Sequence, residues 1–231
     1  MIWKRGACDD GARAHMDATR RGGASGTLVD SRRWSQRSGG GRERYRWWRE
    51  WGGLWLRAGV AIGADYIHYV DADRLVRWHE RLPDELAQTV EQLSRADFTA
   101  IGRTPAAFAT SLATTEQLTS DAGHAGSGFS LAAARFILQN SQPIRPMGTD
   151  AEWAVLAWRG GFSIQSVEVE GLDWESADQY QDKAADEQQQ AQVAEAYDAK
   201  PTSWAFRVRV ANEVIEAGLE ALTRPLLEVK L

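Results

Sequence analysis

Two aspartates one residue apart, Asp71 and Asp73, are followed at once by Arg74. The preceding run, residues 65–70, is rich in β-branched and aromatic residues and has the length of a buried strand. Because side chains alternate along an extended chain, we expect the two carboxylates to project to the same side. Two like charges this close repel each other, so a cation, a proton or an arginine is needed to offset the repulsion. One interpretation is a Mg²⁺ or Mn²⁺ site completed by water and substrate phosphates. The other is a pair of solvated aspartates, with Asp73 capping a helix from Leu75.

A second acidic group lies at residues 149–152, with the sequence Thr-Asp-Ala-Glu ahead of an apolar helical pattern. This spacing predicts a capping box in which Thr149 is the N-cap and Glu152 closes the box. Asp150 then lies in the positive first turn of the helix. Capping is the local interpretation of both carboxylates, and a catalytic interpretation needs a wider context.

The elements between these groups predict an α/β fold. A short helix over 54–61, stopped by Gly63, leads into the first strand, and a helix from Pro83 to about Ser94 follows the aspartates. A second buried strand over 97–102 ends at Arg103. Since ligands collect at the carboxyl ends of strands in such sheets, we expect Arg103 to share one rim with the Asp71–Arg74 stretch.

The rest of the chain continues this pattern. The glycine-rich residues 123–128 predict a loop, and residues 129–139 predict a helix. After the helix from Thr149, which ends at Gly160-Gly161, residues 162–170 alternate as a half-exposed strand. Residues 175–199 predict a mostly solvated helix, and a last helix runs from Pro201 to about Pro225. Together these two helices predict a hairpin that packs on the sheet or on a second subunit.

Composition limits the class of protein. With 231 residues and 43% apolar residues, the chain can bury one sizeable core. Cys8 is the only cysteine, which favours a cytoplasmic protein, and no apolar run has the length of a membrane span or a signal peptide. The segment 1–43 is basic and rich in Arg and Gly, so we expect it to be disordered. Such an arm is compatible with nucleic-acid binding, but a solvated tail is the simpler interpretation.

In the order of its motifs, the stretch from about residue 58 to 171 resembles the second half of a nucleotide-diphospho-sugar transferase domain, the GT-A fold of inverting bacterial-type glycosyltransferases. In that family a strand ends in Asp-x-Asp, here Asp71-Ala-Asp73, and a later strand reads Ala-Asp-apolar-Gly-Ser-Arg, here residues 96–103. An acidic pair then opens a helix, here Thr149-Asp150 with Glu152 nearby, ahead of Gly160-Gly161 and an alternating strand. The base-binding first half of the family domain has no counterpart in residues 1–57.

This resemblance implies a partial GT-A-like mixed sheet with flanking helices. It divides the chain into a basic segment 1–43, an α/β core 44–173 and a C-terminal helical hairpin 174–231. It also implies that a nucleotide-sugar donor and a hydroxyl acceptor are the partners and that Mg²⁺ or Mn²⁺ is the cofactor. The implied roles are a metal site at Asp71 and Asp73, phosphate binding by Arg74 and Arg103, and a catalytic base at Asp150 or Glu152.

Two other functions stay open. The first is a non-catalytic remnant of such a domain that acts as a binding or assembly module, including a homo-oligomer formed through the C-terminal helices. The second is a glycoside hydrolase, which fits less well because its two carboxylates must flank the sugar roughly 5–9.5 Å apart, whereas Asp71 and Asp73 are close neighbours.

Overall fold

The computed structural model describes residues 2–3, 53–105, 107, 126–142, 147–172, 192, 195–196 and 199–227, with the backbone alone at residues 2–3, 72 and 73. Within this part the chain forms a mixed α/β structure around one five-stranded sheet. The strands are β1 (Ile2–Trp3), β2 (Tyr66–Val70), β3 (Phe98–Arg103), β4 (Gly126–Ser130) and β5 (Ile164–Val169).

The strand order is β1-β2-β4-β3-β5. Strand β4 is antiparallel to both β2 and β3, and β5 is parallel to β3. Strands β2, β3 and β5 therefore run in the same direction, and their carboxyl ends meet at one edge of the sheet. We call this edge, which follows Val70, Arg103 and Val169, the carboxyl edge.

The helices that flank the sheet are α1 (53–61), α2 (Ala72–Arg81), α3 (Pro83–Gln92), α4 (Leu131–Asn140), α5 (Thr149–Arg159) and α6 (Pro201–Thr223). The predicted stop at Gly63 is confirmed, since this residue has a φ of 63°. The Asp71 region differs from the expectation. Helix α2 begins at Ala72 rather than at Leu75, so Asp73 lies inside the first helical turn.

The glycine-rich loop predicted over 123–128 is wrong for residues 126–128, which form the start of β4 in the middle of the sheet. The glycines are needed there for close packing. A Cβ atom on Gly128 would lie 2.5 Å from the Cδ2 atom of Leu93, which packs directly on the strand. The lack of a side chain at Gly128 therefore lets Leu93 pack directly on the central strand.

Each face of the sheet carries its own apolar layer. On one face, Phe98 and Phe129 pack edge-to-face with each other, and Phe129 also meets Trp153 of α5. On the other face, helices α2 and α3 and the 3₁₀ turn Leu93–Arg95 cover Ile101 and Val169. A domain covered on both faces in this way is the layered α/β arrangement expected from the sequence.

Helix α6 packs along α5 and belongs to the same folded unit. Its contact face is built from small residues, and a Cβ atom on Gly218 would lie 3.2 Å from Cβ of Ala151. The guanidinium of Arg159 donates to the carbonyl oxygens of Ala221 at 2.5 Å and Arg224 at 2.6 Å, which satisfies the C-terminus of α6. Most of the other predicted hairpin helix, over 175–199, lies outside the described residues.

The prediction of disorder over 1–43 is wrong at Ile2 and Trp3, which pair antiparallel with Ile67 and Tyr66 at the edge of the sheet. The remainder of that segment lies outside the described residues. Among the helices that the structure describes, none has both the length and the apolar character needed to span a bilayer.

Candidate functional site

Strand β2 ends at the carboxyl edge with Val70, and Asp71 follows it directly. The strand is held in register by β4, with Tyr69 opposite Ser127 and Val70 opposite Gly126. Asp71 itself has extended backbone angles and occupies the N-cap position of α2, but its side chain makes no capping hydrogen bond. Its carboxylate is 40% exposed and lies 3.5 Å from Nε of Arg74. Asp71 and Arg74 therefore form a local ion pair.

The prediction that Asp71 and Asp73 lie on one extended stretch is wrong. It assumed an extended chain through residue 73, whereas the chain turns into α2 at Ala72. Alternation of side chains applies to strands and not to the first turn of a helix. The side chain of Asp73 lies outside the described part, so its position relative to Asp71 stays a prediction.

Tyr69 links Asp71 to the second acidic group. Burial raises the pKa of Tyr69, and the negative charges of Asp71 and Asp150 raise it further. The two aspartates are therefore close enough to the same phenol to act on it, although 78 residues separate them in the sequence. The ring of Tyr69 also packs edge-to-face on Trp153, with centroids 5.6 Å apart, which fixes the start of α5 beside the end of β2.

Two helices begin at this edge. Helix α2 starts directly after β2, and α5 starts with Asp150 in its first turn beside Tyr69. Their unsatisfied N–H groups give each helix N-terminus a partial positive charge that favours anions such as a diphosphate. Asp71 and Asp150 thus lie beside two helix N-termini at the same edge of the sheet.

Arg103 ends β3 at the carboxyl edge, as predicted, but its side chain lies against the layer formed by α2 and α3. It is 8% exposed, and its Nε donates to the carbonyl oxygen of Leu172 at 2.5 Å. Leu172 belongs to the apolar cluster of Trp78 and Val169. The structure therefore uses this guanidinium to hold the turn after β5, and it does not bring Arg103 to Tyr69.

Glu152 does not close a capping box. Helix α5 has Gly148 at its N-cap and no side-chain capping bond, so the predicted role of Thr149 is also wrong. Glu152 is only 2% exposed. Its Oε1 accepts from the backbone N–H of Gln142 at 2.9 Å and from Arg224 at 2.6 Å, and its Oε2 accepts from the hydroxyl of Ser141 at 2.7 Å.

The partners of Glu152 extend into a tether for the C-terminal segment. Arg224 also donates to the carbonyl oxygen of Asn140 at 2.9 Å, and the side-chain oxygen of Asn140 accepts from the N–H of Leu227 at 2.7 Å. Glu152 therefore joins α5 to the end of α4 and to the residues after α6. A carboxylate with every oxygen engaged in this way is a structural anchor.

Two more acidic residues act as anchors. Glu85 accepts from the indole N–H of Trp78 at 2.7 Å and from the backbone N–H groups of Glu170 and Gly171 at 2.8 and 2.9 Å. These bonds tie the start of α3 to the turn that follows β5. The turn needs glycine, because a Cβ atom on Gly171 would lie 1.7 Å from Cδ1 of Trp78.

Asp97 binds the opposite edge of the sheet. Its carboxylate accepts from the hydroxyl of Ser130 at 2.9 Å and from the hydroxyl and N–H of Ser163 at 2.7 and 3.1 Å. Burial alone raises the pKa of Asp97, but the hydrogen bonds from Ser163 and Ser130 outweigh it and hold the pKa below its ordinary value. The Ala-Asp motif at residues 96–97 thus joins the ends of β3, β4 and β5.

His68, which precedes the candidate site in sequence, faces away from it. Its ring packs edge-to-face on Trp78 with centroids 6.1 Å apart, and burial lowers its pKa to about 3. The imidazole is therefore neutral at physiological pH and serves as a core side chain.

The sequence reasoning missed Tyr69 and Trp153 as members of the site. Tyr69 lies two residues before Asp71, and Trp153 lies three residues after Asp150, so each could have been found as the neighbour of an acidic residue. Their contact across the sheet is a tertiary feature that no local pattern indicates.

The described side chains at the carboxyl edge offer few oxygen ligands for a cation. Over the described side chains, no group of three or more His, Cys, Asp or Glu residues is arranged to hold a metal ion. Asp71 offers one exposed carboxylate there. One or two carboxylates suffice for Mg²⁺ when water and substrate phosphates complete the coordination.

Comparison of the chain with protein-family models, with curated proteins and with solved structures finds no match in any of the three.

Proposed function

We propose that this protein transfers a sugar from a nucleotide-diphosphate donor to a hydroxyl acceptor, with the site at the carboxyl edge of the sheet. The observation that supports this proposal is the packing of Tyr69, two residues before Asp71, on Trp153, three residues after Asp150. Both carboxylates therefore lie near one phenol, whose pKa their negative charges raise. Glycosyl transfer with inversion needs one acidic group near the diphosphate and a second that accepts the proton of the acceptor. The two aspartates supply these groups from different elements at one edge.

In this proposal Asp150 is the general base. It is half-buried in the first turn of α5. From there its carboxylate takes the proton of the acceptor hydroxyl as the new bond forms at the anomeric carbon. Glu152 is left out of this role because its oxygen atoms are engaged by Arg224, Ser141 and Gln142.

Asp71, with Asp73, would hold the divalent ion, and the N-terminus of α2 would bind diphosphate oxygens. When bound, the ion would supply positive charge that neutralises the diphosphate leaving group. Arg74 lies beside Asp71 and adds positive charge for the same phosphates. Tyr69 and Trp153 hold the end of β2 against the start of α5, so that the acidic groups keep their separation.

Nucleotide binding gives the first test. Addition of Mn²⁺ with UDP or GDP should raise the melting temperature of the full chain. At a hundredfold excess of ligand over Kd, the free energy of unfolding should rise by about 2.7 kcal/mol. The double variant Asp71→Asn, Asp73→Asn should lose the shift. Glu91→Gln, an exposed carboxylate at the end of α3, is a matched control that should keep it. A full shift in the double variant excludes these aspartates as the metal site.

The second candidate function is a non-catalytic assembly module derived from such a domain. The specific observation in its favour is the row of exposed apolar side chains on α6, which includes Val208, Ile215 and Leu219. A protein that self-associates but binds no nucleoside diphosphate with either Mn²⁺ or Mg²⁺ supports the module and contradicts the transferase.

A further inference from the structure

Helix α6 carries two apolar faces. The first is buried, meets α5 at Gly218, and consists of small and β-branched residues together with Arg207. Its members are Ser203, Arg207, Val210, Ala211, Val214, Ala217, Gly218 and Ala221. The second face is exposed and contains larger side chains, among them Leu219 at 59% exposure. One apolar face is enough to attach a helix to its own domain, so a second one indicates another contact.

The exposed face follows a heptad pattern along nearly the whole helix. Its residues alternate in steps of three and four, and all six are exposed: Ala205, Val208, Asn212, Ile215, Leu219 and Leu222. We call this set the α6 seam. Steps of three and four are the spacing of the a and d positions of a two-stranded coiled coil. The seam is about 26 Å long at 1.5 Å per residue.

We propose that a second copy of this chain covers the α6 seam, with the two α6 helices antiparallel about a two-fold axis. In antiparallel coiled coils an a residue packs against a d residue. The seam satisfies this pairing with itself, because Ala205 then faces Leu222 of the second copy, and Val208 faces its Leu219. Asn212 faces Ile215 of the second copy, and each pair occurs twice. Such self-complementarity is what a two-fold interface requires.

Charge complementarity supports the antiparallel direction. Arg209 and Glu216 occupy the positions that follow Val208 and Ile215, on one side of the seam. In the antiparallel pairing these flanks face each other, and Arg209 of one copy lies beside Glu216 of the other, twice. In a parallel pairing each flank would face Trp204, Ala211 and Gly218 instead. Only the antiparallel arrangement therefore brings opposite charges together.

Asn212 is the one polar residue of the seam. Its amide donates to Glu216 in the same helix at 2.9 Å, so the amide keeps a hydrogen bond when the seam is covered. A single asparagine at such a position limits the number of registers that the two helices can adopt.

The pairing is independent of the proposed activity, and its test uses the full chain. The average mass from sedimentation equilibrium should rise with concentration toward twice the monomer mass of 25.6 kDa. Leu219→Glu should raise the dissociation constant about tenfold or more, because it introduces a charge into the seam. Phe206→Glu is the matched control, since Phe206 is exposed on the same helix but lies outside the seam. A monomer mass up to about 0.1 mM would overturn the proposal.

Charge reversal tests the direction. Arg209→Glu and Glu216→Arg should each weaken the dimer, and the double variant should restore the affinity of the unchanged chain. If the two single changes add, so that the double variant loses the sum of their dimerisation free energies, the two residues do not face each other. The antiparallel register would then be wrong.

Cysteine cross-linking distinguishes the antiparallel pair from a parallel pair. In a Cys8→Ser background, a mixture of the Val208→Cys and Leu219→Cys chains should form a mixed disulfide, whereas neither chain alone should cross-link. Cross-linking of each chain with itself would indicate a parallel pair and overturn the proposal. A monomer with a seam protected from hydrogen exchange would show that residues of the same chain, such as 173–199, cover it, and this result too would overturn the proposal.

Discussion

Acidic side chains have two kinds of surroundings in this protein. Glu85, Asp97 and Glu152 each accept hydrogen bonds from two or more other residues, and each joins elements that come together only in the folded chain. Asp71 and Asp150 lie instead at the carboxyl edge, where Asp71 is 40% exposed and both charges act on Tyr69. The first group joins elements of the fold, whereas Asp71 keeps a partly exposed charge at the edge of the sheet and Asp150 is half-buried there.

The comparison is sharpest between Asp150 and Glu152, which are two residues apart on α5. At 100° per residue their side chains leave the helix in nearly opposite directions. One is half-buried beside Tyr69, and the other is buried against Arg224. The residue type and the local pattern are therefore poor guides to the role of a carboxylate, because the direction in which it leaves its helix decides its partners.

The largest expected effect belongs to Asp150→Asn. The amide has nearly the shape of the carboxylate but almost no basicity, so turnover should fall about 10²–10⁴-fold while donor binding persists. Release of nucleoside diphosphate from the donor that gives the strongest thermal shift is the measurement. Full turnover in this variant would exclude Asp150 as the general base.

Glu152→Ala should affect stability rather than chemistry. Breaking a buried ion pair by removing one partner costs about 3–5 kcal/mol, because Arg224 loses its buried counter-charge. Urea denaturation measures the loss, and hydrogen exchange should show that residues 224–227 open first. Glu213→Ala on α6 makes the same truncation outside this network. A loss of unfolding free energy below about 1 kcal/mol for Glu152→Ala would show that Glu152 is not a structural anchor.

The contribution of Asp97 to the stability of the fold depends on pH. Its folded-state pKa is depressed, so its contribution to stability is present above the unfolded pKa of about 3.9 and is lost as the pH falls through the folded pKa. We expect a contribution of about 1 kcal/mol, reduced by its partial exposure. Denaturation curves between neutral pH and acid should show a weaker acid dependence for Asp97→Asn. An unchanged dependence would mean that the bonds from Ser163 and Ser130 do not favour the charged form.

The smallest effect is expected for Asp71→Asn. Its ion pair with Arg74 is partly exposed and 3.5 Å long, so removing the charge should change stability by about 0.5 kcal/mol or less. Added salt should reduce the difference further. Thermal denaturation at low and high ionic strength measures both effects. A loss of several kcal/mol would show that Asp71 is another anchor of the fold.

Several parts of the fold follow from local sequence patterns. Strands β2, β3 and β5, the helix from Pro83, the turn at Gly63 and the long helix from Pro201 were all predicted, because apolar periodicity and Gly or Pro signals are read within a few residues. The mixed α/β class followed from their order. The placement of Asp71 and Arg103 at the same edge also followed, since β2 and β3 run in the same direction.

Tertiary structure decided the rest. Residues 126–128 form part of the central strand β4, and Gly128 is needed there because Leu93 occupies the space that a Cβ atom would take. Nothing in the local sequence indicates a strand. Thr149 and Glu152 match a capping box, yet the carboxylate of Glu152 accepts from Arg224, 72 residues away, and the helix has no side-chain cap. The meeting of Asp71 with Asp150 at Tyr69 likewise depends on how α5 crosses the sheet. The sequence by itself determined the elements and their order, because these depend on near neighbours. The role of each acidic side chain was decided by partners that only the folded chain brings within reach.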